Sequence, residues 1–308
     1  MSFEVINPGP LSQIQDFGRY GQQRIGYTQG GPMDEHAFLW ANRLLDNAPE
    51  AAQIEITYGG LQLRALDATM AAVTGADLGA TLNGIPLAPW HSFYLAAGDT
   101  LLFNFPRKGL RSYLAVKGGL QVSPRLGSCA TVMREKIGGL DGQGGKLRQG
   151  DRIPCLGQEK SQPMRVRPAY IPDYDKLLIL RLIAGYQYHH FPAETLRRFF
   201  SSRYGVSQQS DRMGYRLIGA PVECSLKGIV SEGISYGAVQ IPGDGQPIVL
   251  MKDRQTIGGY PKLGCIASLD AGQLAQRMPG ATVCFRRVGL DEVSEERSQF
   301  NRFFGLIC

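Results

Sequence analysis

Three polar clusters in this 308-residue sequence contain the residue types that bind and activate small polar substrates. They lie within residues 15–34, 207–217 and 253–262, each beside glycines that let a backbone approach a ligand closely. Consecutive free N–H groups in such loops can hold an oxyanion. Surface turns held by Asp–backbone bonds have the same composition. A single cluster would favour surface turns, whereas three clusters in the two halves of the chain leave a site and surface turns equally open.

The charged residues of the clusters indicate an anionic ligand. Arginine makes bidentate contacts to carboxylate or phosphate, and lysine supplies a point charge. The first cluster contains Gln15, Asp16, Arg19, Arg24, Gln29 and Asp34; the second contains Asp211, Arg212 and Arg216; the third contains Asp253, Gln255, Thr256, Tyr260 and Lys262. The third follows a short apolar run, so we expect a strand that ends in a polar tip.

Two motifs that look catalytic do not fit their surroundings. The glycine-rich segment 138–151 has Leu140 where a phosphate-binding Walker A loop needs glycine, and Leu147 where it needs Ser or Thr. We expect a flexible turn there. The segment "GISYG" matches a nucleophile elbow, which requires a strand, a turn and then a helix. Ser235 is instead followed by the strand-like "AVQIP", so we expect a structural serine.

Histidines and cysteines show no metal-ligand spacing. The adjacent His189 and His190 would line a pocket or, as the alternative that we favour, form a packed or exposed pair. The six cysteines are Cys129, Cys155, Cys224, Cys265, Cys284 and Cys308. Without a CxxC pair we expect buried, reduced thiols of a cytoplasmic protein, and no metal site.

The charge and the apolar content of the chain exclude some classes of binding partner. A formal charge of +6, with scattered Lys and Arg, gives no basic stripe for nucleic acid and suits anionic small molecules. No apolar run approaches the roughly 20 residues of a membrane span. The first ten residues, "MSFEVINPGP", lack the basic and apolar regions of a signal peptide. We therefore expect a cytoplasmic protein that binds neither nucleic acid nor membrane.

The 39 glycines and 18 prolines favour many turns and short strands, hence a mainly β (α+β) fold with a few short helices. Strands are predicted at 68–75, 93–105, 111–120, 176–185, 235–242, 247–252 and 281–288. Helices are predicted at 34–47, with Asp34 as N-cap, and at 193–205, 270–280 and 291–305.

An internal repeat indicates two related β units. "ITYGGLQL" at 56–63 aligns on "ISYGAVQI" at 234–241, and "GDTLLF" at 98–103 aligns on "GATVCF" at 280–285. The common order and nearly equal offsets favour a duplication. A proline-containing linker at 157–173 separates the units, which we expect at 1–165 and 166–308.

Five ordered segments carry a family resemblance over residues 5–293. They are "QDFGRYG", "GGPMDEHAFLWANRLLDN", "SDRMGYRL", "GQPIVLMKDRQTIGGYPKLGCI" and "LAQRMPGATVCF". Together they resemble the allophanate hydrolase subunit 2 family, also described as a biotin-dependent carboxyltransferase family. The resemblance implies two cyclophilin-like β-barrel subdomains.

The resemblance also implies an activity and partners. Members similar to this chain act with subunit-A-like and subunit-B-like proteins in an ATP-dependent 5-oxoprolinase that opens 5-oxoproline to L-glutamate, so ATP with Mg would act in the complex. The isolated chain would be inactive. Two alternatives stay open: a carboxyltransferase component of a biotin-dependent urea carboxylase, and a non-catalytic antagonist of a subunit-B-like kinase inhibitor. No biotin attachment motif is present; "LMKDR" around Lys252 is the nearest match.

For 5-oxoproline, we hypothesise that ATP phosphorylates the lactam oxygen and that water then attacks the ring carbonyl. Arg212 or Lys262 would pair with a carboxylate or phosphate. Asp253, or Asp16, would act as a base or orient a proton donor. These four are the candidate catalytic residues.

The remaining candidates would bind the substrate, and the amides near Gly258 and Gly259 would receive an oxyanion. The candidate substrate-binding residues are Gln15, Arg19, Asp34, Gln240, Gln255, Thr256, Gly258, Gly259 and Tyr260.

Overall fold

The computed structural model describes residues 2–156 and 160–306, which form two compact units. Unit 1 contains Met1–Gln22 and Gln29–Asp175, and unit 2 contains Gln23–Thr28 and Lys176–Cys308. The boundary expected from the sequence, at residues 165 and 166, lies within unit 1. Cys308 and the first residues of the predicted linker lie outside the described residues.

Unit 1 is built from eleven strands in two antiparallel sheets within the described residues. One sheet has the order β11-β1-β4-β9-β6-β7, and the other has the order β2-β3-β10-β5-β8. The strands are β1 (Ser2–Pro8), β2 (Leu11–Gln15), β3 (Gln53–Thr57), β4 (Leu61–Ala65), β5 (Thr69–Asp77), β6 (Thr81–Leu82), β7 (Ile85–Pro86), β8 (His91–Leu95), β9 (Thr100–Leu102), β10 (Lys108–Val116) and β11 (Arg152–Pro154).

One apolar core receives side chains from both sheets of unit 1. Leu63 and Leu101 come from the first sheet, and Ile54 and Leu114 come from the second. These residues are at most 1% exposed. Alternation along each strand sends every second side chain to this core.

Helix α1 (Glu35–Arg43) packs on strands β5 and β10 of unit 1. The Asp34 carboxylate accepts a hydrogen bond from the Ala37 backbone N–H at 3.1 Å and so caps the helix, as the sequence predicted. The cap fixes the point at which the helix begins and the preceding loop, which contains Gly30 and Gly31, ends.

Unit 2 is a closed seven-stranded barrel with the order β12-β19-β16-β17-β14-β13-β20. Strands β12 and β20 pair in parallel and the other neighbours in antiparallel fashion. A separate two-stranded sheet joins β15 and β18. The strands are β12 (Leu178–Ala184), β13 (Tyr204–Val206), β14 (Gly214–Ile218), β15 (Glu232–Gly233), β16 (Ala238–Gln240), β17 (Ile248–Leu250), β18 (Ile257–Gly258), β19 (Lys262–Ile266) and β20 (Thr282–Val288).

Three further helices belong to unit 2. They are α2 (Ala193–Ser201), α3 (Ser268–Leu274) and α4 (Leu290–Phe304). The last ends at Gly305, whose φ of 69° lies in the left-handed region that glycine adopts without strain. Short 3₁₀ turns occupy Gln23–Ile25, Pro168–Tyr170 and Tyr188–His190. No helix among the residues described is both long and apolar enough to cross a membrane.

The mainly β fold with four α-helices in the described residues confirms the predicted fold class. The repeated words, however, lie in strands with different neighbours. Strand β4 pairs with β1 and β9, whereas β16 pairs with β17 and β19. Strand β9 pairs with β4 and β6, whereas β20 pairs with β12 and β13. The strands of the two repeated segments therefore pair with each other in unit 1, as β4 and β9, but not in unit 2, where β16 and β20 are not neighbours. The duplication inferred from these words stays a prediction.

Candidate functional site

The third polar cluster begins where β17 ends, as the sequence predicted, but its first residues are buried. Lys252, Asp253 and Arg254 are each about 4 to 5% exposed. Gln255 is exposed, and Thr256 leads into β18. The polar tip is therefore two regions: a buried charged turn and an exposed end.

Arg212 and Asp253 form a buried, bidentate ion pair. Arg212 Nε donates to Asp253 Oδ2 and Arg212 Nη2 donates to Asp253 Oδ1, each at 2.9 Å. The two side chains are 6% and 8% exposed. The Asp253 backbone N–H also donates to the Arg212 carbonyl at 2.8 Å. The second and third clusters thus meet, and the charges of these two predicted catalytic residues compensate each other.

Tyr236 receives two cations on its ring. The Lys252 Nζ lies 4.4 Å from the ring centroid and the Arg254 Cζ lies 5.8 Å from it. Cation–π attraction at such distances is stronger when the cation is desolvated, as both are here. Burial lowers the pKa of Arg254, whose Nε also donates to the Ile234 carbonyl at 3.1 Å.

Cys265 lies beside this cationic group. Its thiol donates to the Tyr236 carbonyl at 3.1 Å. Burial raises the pKa of Cys265 to about 11, with Arg254 and Lys262 acting in the opposite direction. At neutral pH the thiol is therefore protonated and unsuited to act as a nucleophile.

Lys262, the first residue of β19, pairs with Glu232 of β15. Its Nζ lies 2.6 Å from Glu232 Oε1 and donates to the Gly233 carbonyl at 3.2 Å. Hydrogen bonding from Lys262 is the main cause that lowers the pKa of Glu232, and Gln187 adds to it. The Lys262 side chain is 16% exposed, so its ammonium lies near the protein surface.

Gln240, in β16, lies opposite Lys262 in the barrel ladder. The register shifts between Val239 and Gln240, so this pair lies at an irregularity of the ladder. Gln240 is 5% exposed, and its Nε2 has no hydrogen-bond partner in the described part of the chain. The amide nitrogen of Gln240 is thus a buried donor without an acceptor among these residues.

The glycines of the tip allow close packing. A Cβ on Gly258 would lie 2.5 Å from Ile234 Cδ1 and 2.9 Å from Gln240 Nε2. A Cβ on Gly259 would lie 3.2 Å from the Ile229 carbonyl oxygen. Tyr260 is 49% exposed. The roles predicted for these residues and for Gln255 and Thr256 stay predictions.

In unit 1, the first cluster is tied to the segment 125–131. The Asp16 carboxylate accepts hydrogen bonds from the Ser128 hydroxyl and from the Cys129 backbone N–H at 2.7 Å and thiol at 3.2 Å. Arg19 Nε donates to the Arg125 carbonyl at 2.9 Å, and its Nη2 donates to two further carbonyls of the segment. Burial, helped by Asp16, raises the pKa of the Cys129 thiol to about 12.

Gln15 and Asp34 form hydrogen bonds that hold the loop before α1, which contains Gly30 and Gly31. Gln15 Oε1 accepts from the Gly31 N–H at 3.2 Å, and Gln15 Nε2 donates to the Thr131 carbonyl at 3.1 Å. Asp34 Oδ2 accepts from the Tyr174 hydroxyl at 2.9 Å. Within unit 1 these predicted substrate-binding residues therefore position backbone, and the catalytic role predicted for Asp16 stays a prediction.

Sequence reasoning missed a buried polar row across strands β2, β3 and β10. Gln13 lies opposite Glu55, and Glu55 lies opposite Tyr113. Tyr113 donates to Glu55 Oε2 at 2.8 Å, and Met33 N donates to the same oxygen at 2.8 Å. Burial and the Glu55 charge raise the pKa of Tyr113. The available sequence signal was the alternation of polar with apolar residues in β2, at Gln13 and Gln15, and in β3, at Gln53 and Glu55. The structure adds that Gln13 and Glu55 are each 1% exposed.

Glu232, Gln187 and Tyr236 were also missed. Each is one polar residue in a short segment, and strand β15 contains only two residues. Such segments carry no periodicity. Tyr236 does stand in the repeated word "ISYGAVQI", which was the one available signal.

The Walker-A-like segment forms turns and the nucleophile-elbow-like segment leads into a strand, as the sequence predicted. Lys146 donates to the Pro10 carbonyl at 2.9 Å, and the segment around it forms turns rather than a strand–loop–helix unit. Strand β16, not a helix, follows Ser235. In the described residues no group of three or more His, Cys, Asp or Glu side chains is arranged to hold a metal. The described cysteines are free thiols, two of them buried.

Two surface cavities lie away from the predicted residues. One in unit 2, of about 480 Å³, is lined by residues such as Glu223, Cys224 and Lys227. One in unit 1, of about 410 Å³, is lined by Trp90, Tyr174 and others. No predicted catalytic or substrate-binding residue lines either cavity.

The family comparison decides what kind of protein this is. Residues 25–287 match the family described as "Carboxyltransferase domain, subdomain A and B". The chain belongs to this carboxyltransferase domain family. All of the second and third clusters lie inside the matched residues.

Relatives of this carboxyltransferase-domain chain fall into two groups. It is 36% identical over 306 residues to the C subunit of 5-oxoprolinase from Escherichia coli (strain K12), covering 98% of this chain and 96% of that protein. It is 33% identical over 295 residues to the C subunit of 5-oxoprolinase from Haemophilus influenzae, covering 96% of this chain and 94% of that protein. Urea amidolyase of Lachancea kluyveri is 29% identical, and this chain covers 17% of it.

A solved relative has the same fold. The crystal structure of the K. lactis urea amidolyase superposes with a TM-score of 0.92 at 26% sequence identity, covering 98% of this chain and 20% of that chain. The carboxyltransferase-domain chain thus corresponds to a whole bacterial subunit in one group of relatives and to part of a longer enzyme in the other.

Proposed function

We propose that this chain is the C subunit of an ATP-dependent 5-oxoprolinase complex that opens 5-oxoproline to L-glutamate. The observation that carries the proposal is 36% identity along 98% of this chain and 96% of a protein named as the C subunit of 5-oxoprolinase. Correspondence over the full length of both chains favours a shared role more strongly than correspondence to one part of a longer enzyme. Subunit-A-like and subunit-B-like proteins are the proposed partners.

The proposed chemistry requires activation of a stable amide. The γ-phosphoryl group of ATP would be transferred to the lactam oxygen with release of ADP. Water would then attack the carbonyl carbon, the ring C–N bond would break to free the amine, and inorganic phosphate would leave. The glycine-rich segment of this chain does not fit a nucleotide phosphate, because Lys146 bonds to the Pro10 carbonyl and no helix follows. We therefore propose that ATP and its Mg bind elsewhere in the complex.

Unit 2 supplies the groups that would hold the substrate. Lys262 is the candidate cation for the substrate carboxylate, because it is partly exposed and its partner Glu232 is also at the surface. Arg212 and Asp253, which bind each other, would fix the charged turn that precedes Gly258 and Gly259. Backbone N–H groups near these glycines remain the proposed hydrogen-bond donors to the developing oxyanion.

Reconstitution with the proteins encoded beside this chain tests the proposal. We expect glutamate release from 5-oxoproline only when all subunits and ATP are present, and no release from the isolated chain. Lys262→Met and Arg212→Met should each reduce turnover in the complex. Undiminished turnover in both variants would remove this site from the mechanism, and an ATP-independent or absent reaction would contradict the function.

A second candidate is a carboxyltransferase served by a biotin carrier. The observation that favours it is the TM-score of 0.92 to a urea amidolyase structure. Biotin would then be carried by a partner protein, since this sequence has no Met-Lys-Met attachment motif. Carboxylation of urea by the chain together with a biotin carboxylase and carrier, in place of glutamate release, would establish this alternative.

We also place the complex in the cytoplasm. The described cysteines are free thiols, which is the state that a reducing compartment maintains.

A further inference from the structure

The ion pair of Lys262 and Glu232 is surrounded by two side-chain amides with unused hydrogen-bonding atoms. Gln187, just after β12, donates from its Nε2 to Glu232 Oε1 at 3.0 Å. Gln240 lies opposite Lys262 in the ladder. Gly258 lies opposite Glu232, and a Cβ at Gly258 would lie 2.9 Å from Gln240 Nε2, so the Gln240 amide packs beside this glycine. These contacts connect four polar side chains of unit 2.

The Gln240 amide nitrogen has no hydrogen-bond partner that would explain its burial in the described residues. Its Nε2 is buried without a hydrogen bond in the described residues, and the residue is 5% exposed. Leaving a buried amide unpaired costs about 1–3 kcal/mol. Leucine at this position would avoid that cost. A donor that is buried, unpaired and adjacent to a surface cation is what a ligand acceptor would complete.

The Gln187 amide leaves an acceptor unused. Its Oε1 is buried and has no hydrogen-bond partner in the described residues. The orientation follows from chemistry, because reversing the amide would point its oxygen at the Glu232 carboxylate. The cluster therefore offers one donor, from Gln240, and one acceptor, from Gln187.

We propose that Gln187 and Gln240 bind the two sides of a cis secondary amide, that is, a lactam. In a lactam ring the C=O and N–H point to the same side, so the carbonyl would accept from Gln240 Nε2 while the N–H donates to Gln187 Oε1. Lys262 uses two contacts, to Glu232 and Gly233, and an ammonium has three donors. The third binds a carboxylate on the same ring.

The ligand class is therefore a small lactam acid. Identifying it as the substrate rests on the proposed function, whereas the binding site itself does not. Glu232 positions both Lys262 and Gln187, since one carboxylate oxygen accepts from each of them.

Direct binding to the full chain, without partners or ATP, tests the proposal. The probes are L-5-oxoproline, 2-pyrrolidinone, which lacks the carboxylate, and L-proline, which lacks the lactam carbonyl. Calorimetry or ligand-observed NMR should show binding of L-5-oxoproline, weaker binding of 2-pyrrolidinone and none of L-proline. Equal binding of 2-pyrrolidinone would overturn the assignment of the carboxylate to Lys262. Absence of L-5-oxoproline binding would overturn the lactam site.

Substitution separates a binding role from a structural one. Gln240→Leu and Gln187→Leu should each weaken L-5-oxoproline binding about tenfold, the effect of one lost buried hydrogen bond. Gln240→Leu should leave thermal stability unchanged or raise it, because it removes an unpaired polar group. Gln208→Leu, at an exposed glutamine, is the matched control and should leave binding unchanged. Unchanged affinity in Gln240→Leu and Gln187→Leu would overturn the proposal.

The results also separate this site from the proposed function. If the chain binds L-5-oxoproline through Gln187 and Gln240 but the reconstituted complex releases no glutamate, the site stands and the function fails. If the complex releases glutamate while the isolated chain binds no lactam, the function stands and this site is wrong.

Discussion

At the scale of single residues, the buried Arg212–Asp253 pair joins the segment before β14 to the turn after β17. Its two hydrogen bonds at 2.9 Å join the two charged groups in a place largely shielded from water. Such a pair contributes little net stability over apolar residues of the same volume. Removing one partner, however, leaves the other charge buried without compensation. Its value here is positional, since it fixes the buried charged turn.

Replacing Arg212 should therefore destabilise unit 2. We expect Arg212→Met to lower the free energy of unfolding by about 3–5 kcal/mol, because it leaves the Asp253 charge without its guanidinium. Arg197→Met is the control: Arg197 pairs with Glu194, and these side chains are 75% and 69% exposed. That pair should contribute less than about 1 kcal/mol. Urea denaturation measures both, and equal losses would contradict the positional role.

His36 of α1 should make unit 1 sensitive to acid. Burial lowers the pKa of His36 below its usual 6.5, with Asp34 acting weakly in the opposite direction. Its Nε2 accepts from Trp40 Nε1 at 3.1 Å, which requires the unprotonated nitrogen. The unfolded chain binds this proton at higher pH than the folded chain does, so stability falls as pH drops below 6.5.

NMR titration of the imidazole should thus give a midpoint below 6.5, with stability lower at about pH 5.5 than at about pH 7.5. Trp40→Phe removes the hydrogen bond to the neutral ring and should move the midpoint upward. A midpoint at or above the usual value in the unaltered protein would show that burial does not control this histidine.

At the scale of elements, the two-stranded sheet of β15 and β18 positions the tip of the third cluster. Glycines in both strands test how tightly it packs. Gly258→Ala would place a Cβ 2.5 Å from Ile234 Cδ1 and 2.9 Å from Gln240 Nε2, whereas Gly233→Ala would meet nothing within 4 Å. Neither glycine has a positive φ, so space alone distinguishes the two substitutions.

We expect Gly258→Ala to cost about 1–3 kcal/mol, as overpacking does, and to displace the Gln240 side chain. Gly233→Ala should change stability by no more than about 0.5 kcal/mol. Thermal denaturation together with L-5-oxoproline binding measures both effects. Similar behaviour of the two variants would mean that the tip adapts freely and that its geometry is not fixed by packing.

At the scale of the whole molecule, unit 2 is not continuous in sequence. It includes Gln23–Thr28 from the N-terminal part of the chain. Thr28 is fully buried, and its hydroxyl donates to the Lys252 carbonyl at 3.4 Å. The charged turn of the candidate site therefore receives support from a segment that the sequence assigns to the other half.

A fragment of residues 176–308 should fold poorly for this reason. We expect a lower melting temperature than the full chain, or no cooperative transition, by circular dichroism. A synthetic peptide of residues 20–31 should raise the melting temperature in proportion to its concentration, as any ligand of the folded state does. A peptide of the same composition in scrambled order is the control. A fragment that melts at the same temperature as the full chain would contradict the prediction.

Several elements were predictable because their signals are local. The strand at 111–120 and the strand at 281–288 combine apolar runs with glycine or proline ends, and β10 and β20 lie within a few residues of them. Asp34 was predictable as a cap because its partner, Ala37, is three residues away. Strands β15 and β18 were not predictable, since a strand of two residues is too short to show a periodic pattern of polar and apolar residues.

The mainly β class, the start of α1 and the family could be predicted, because each depends on residues close together or on ordered segments. The contact of Arg212 with Asp253, 41 residues along the chain, and the pairing of Lys262 with Glu232 and with Gln240 of β16 could not. Those pairs depend on the register in which the barrel closes. A shift of one residue in a strand would turn every side chain to the opposite face. Register is fixed by packing of the whole barrel, which no single segment encodes.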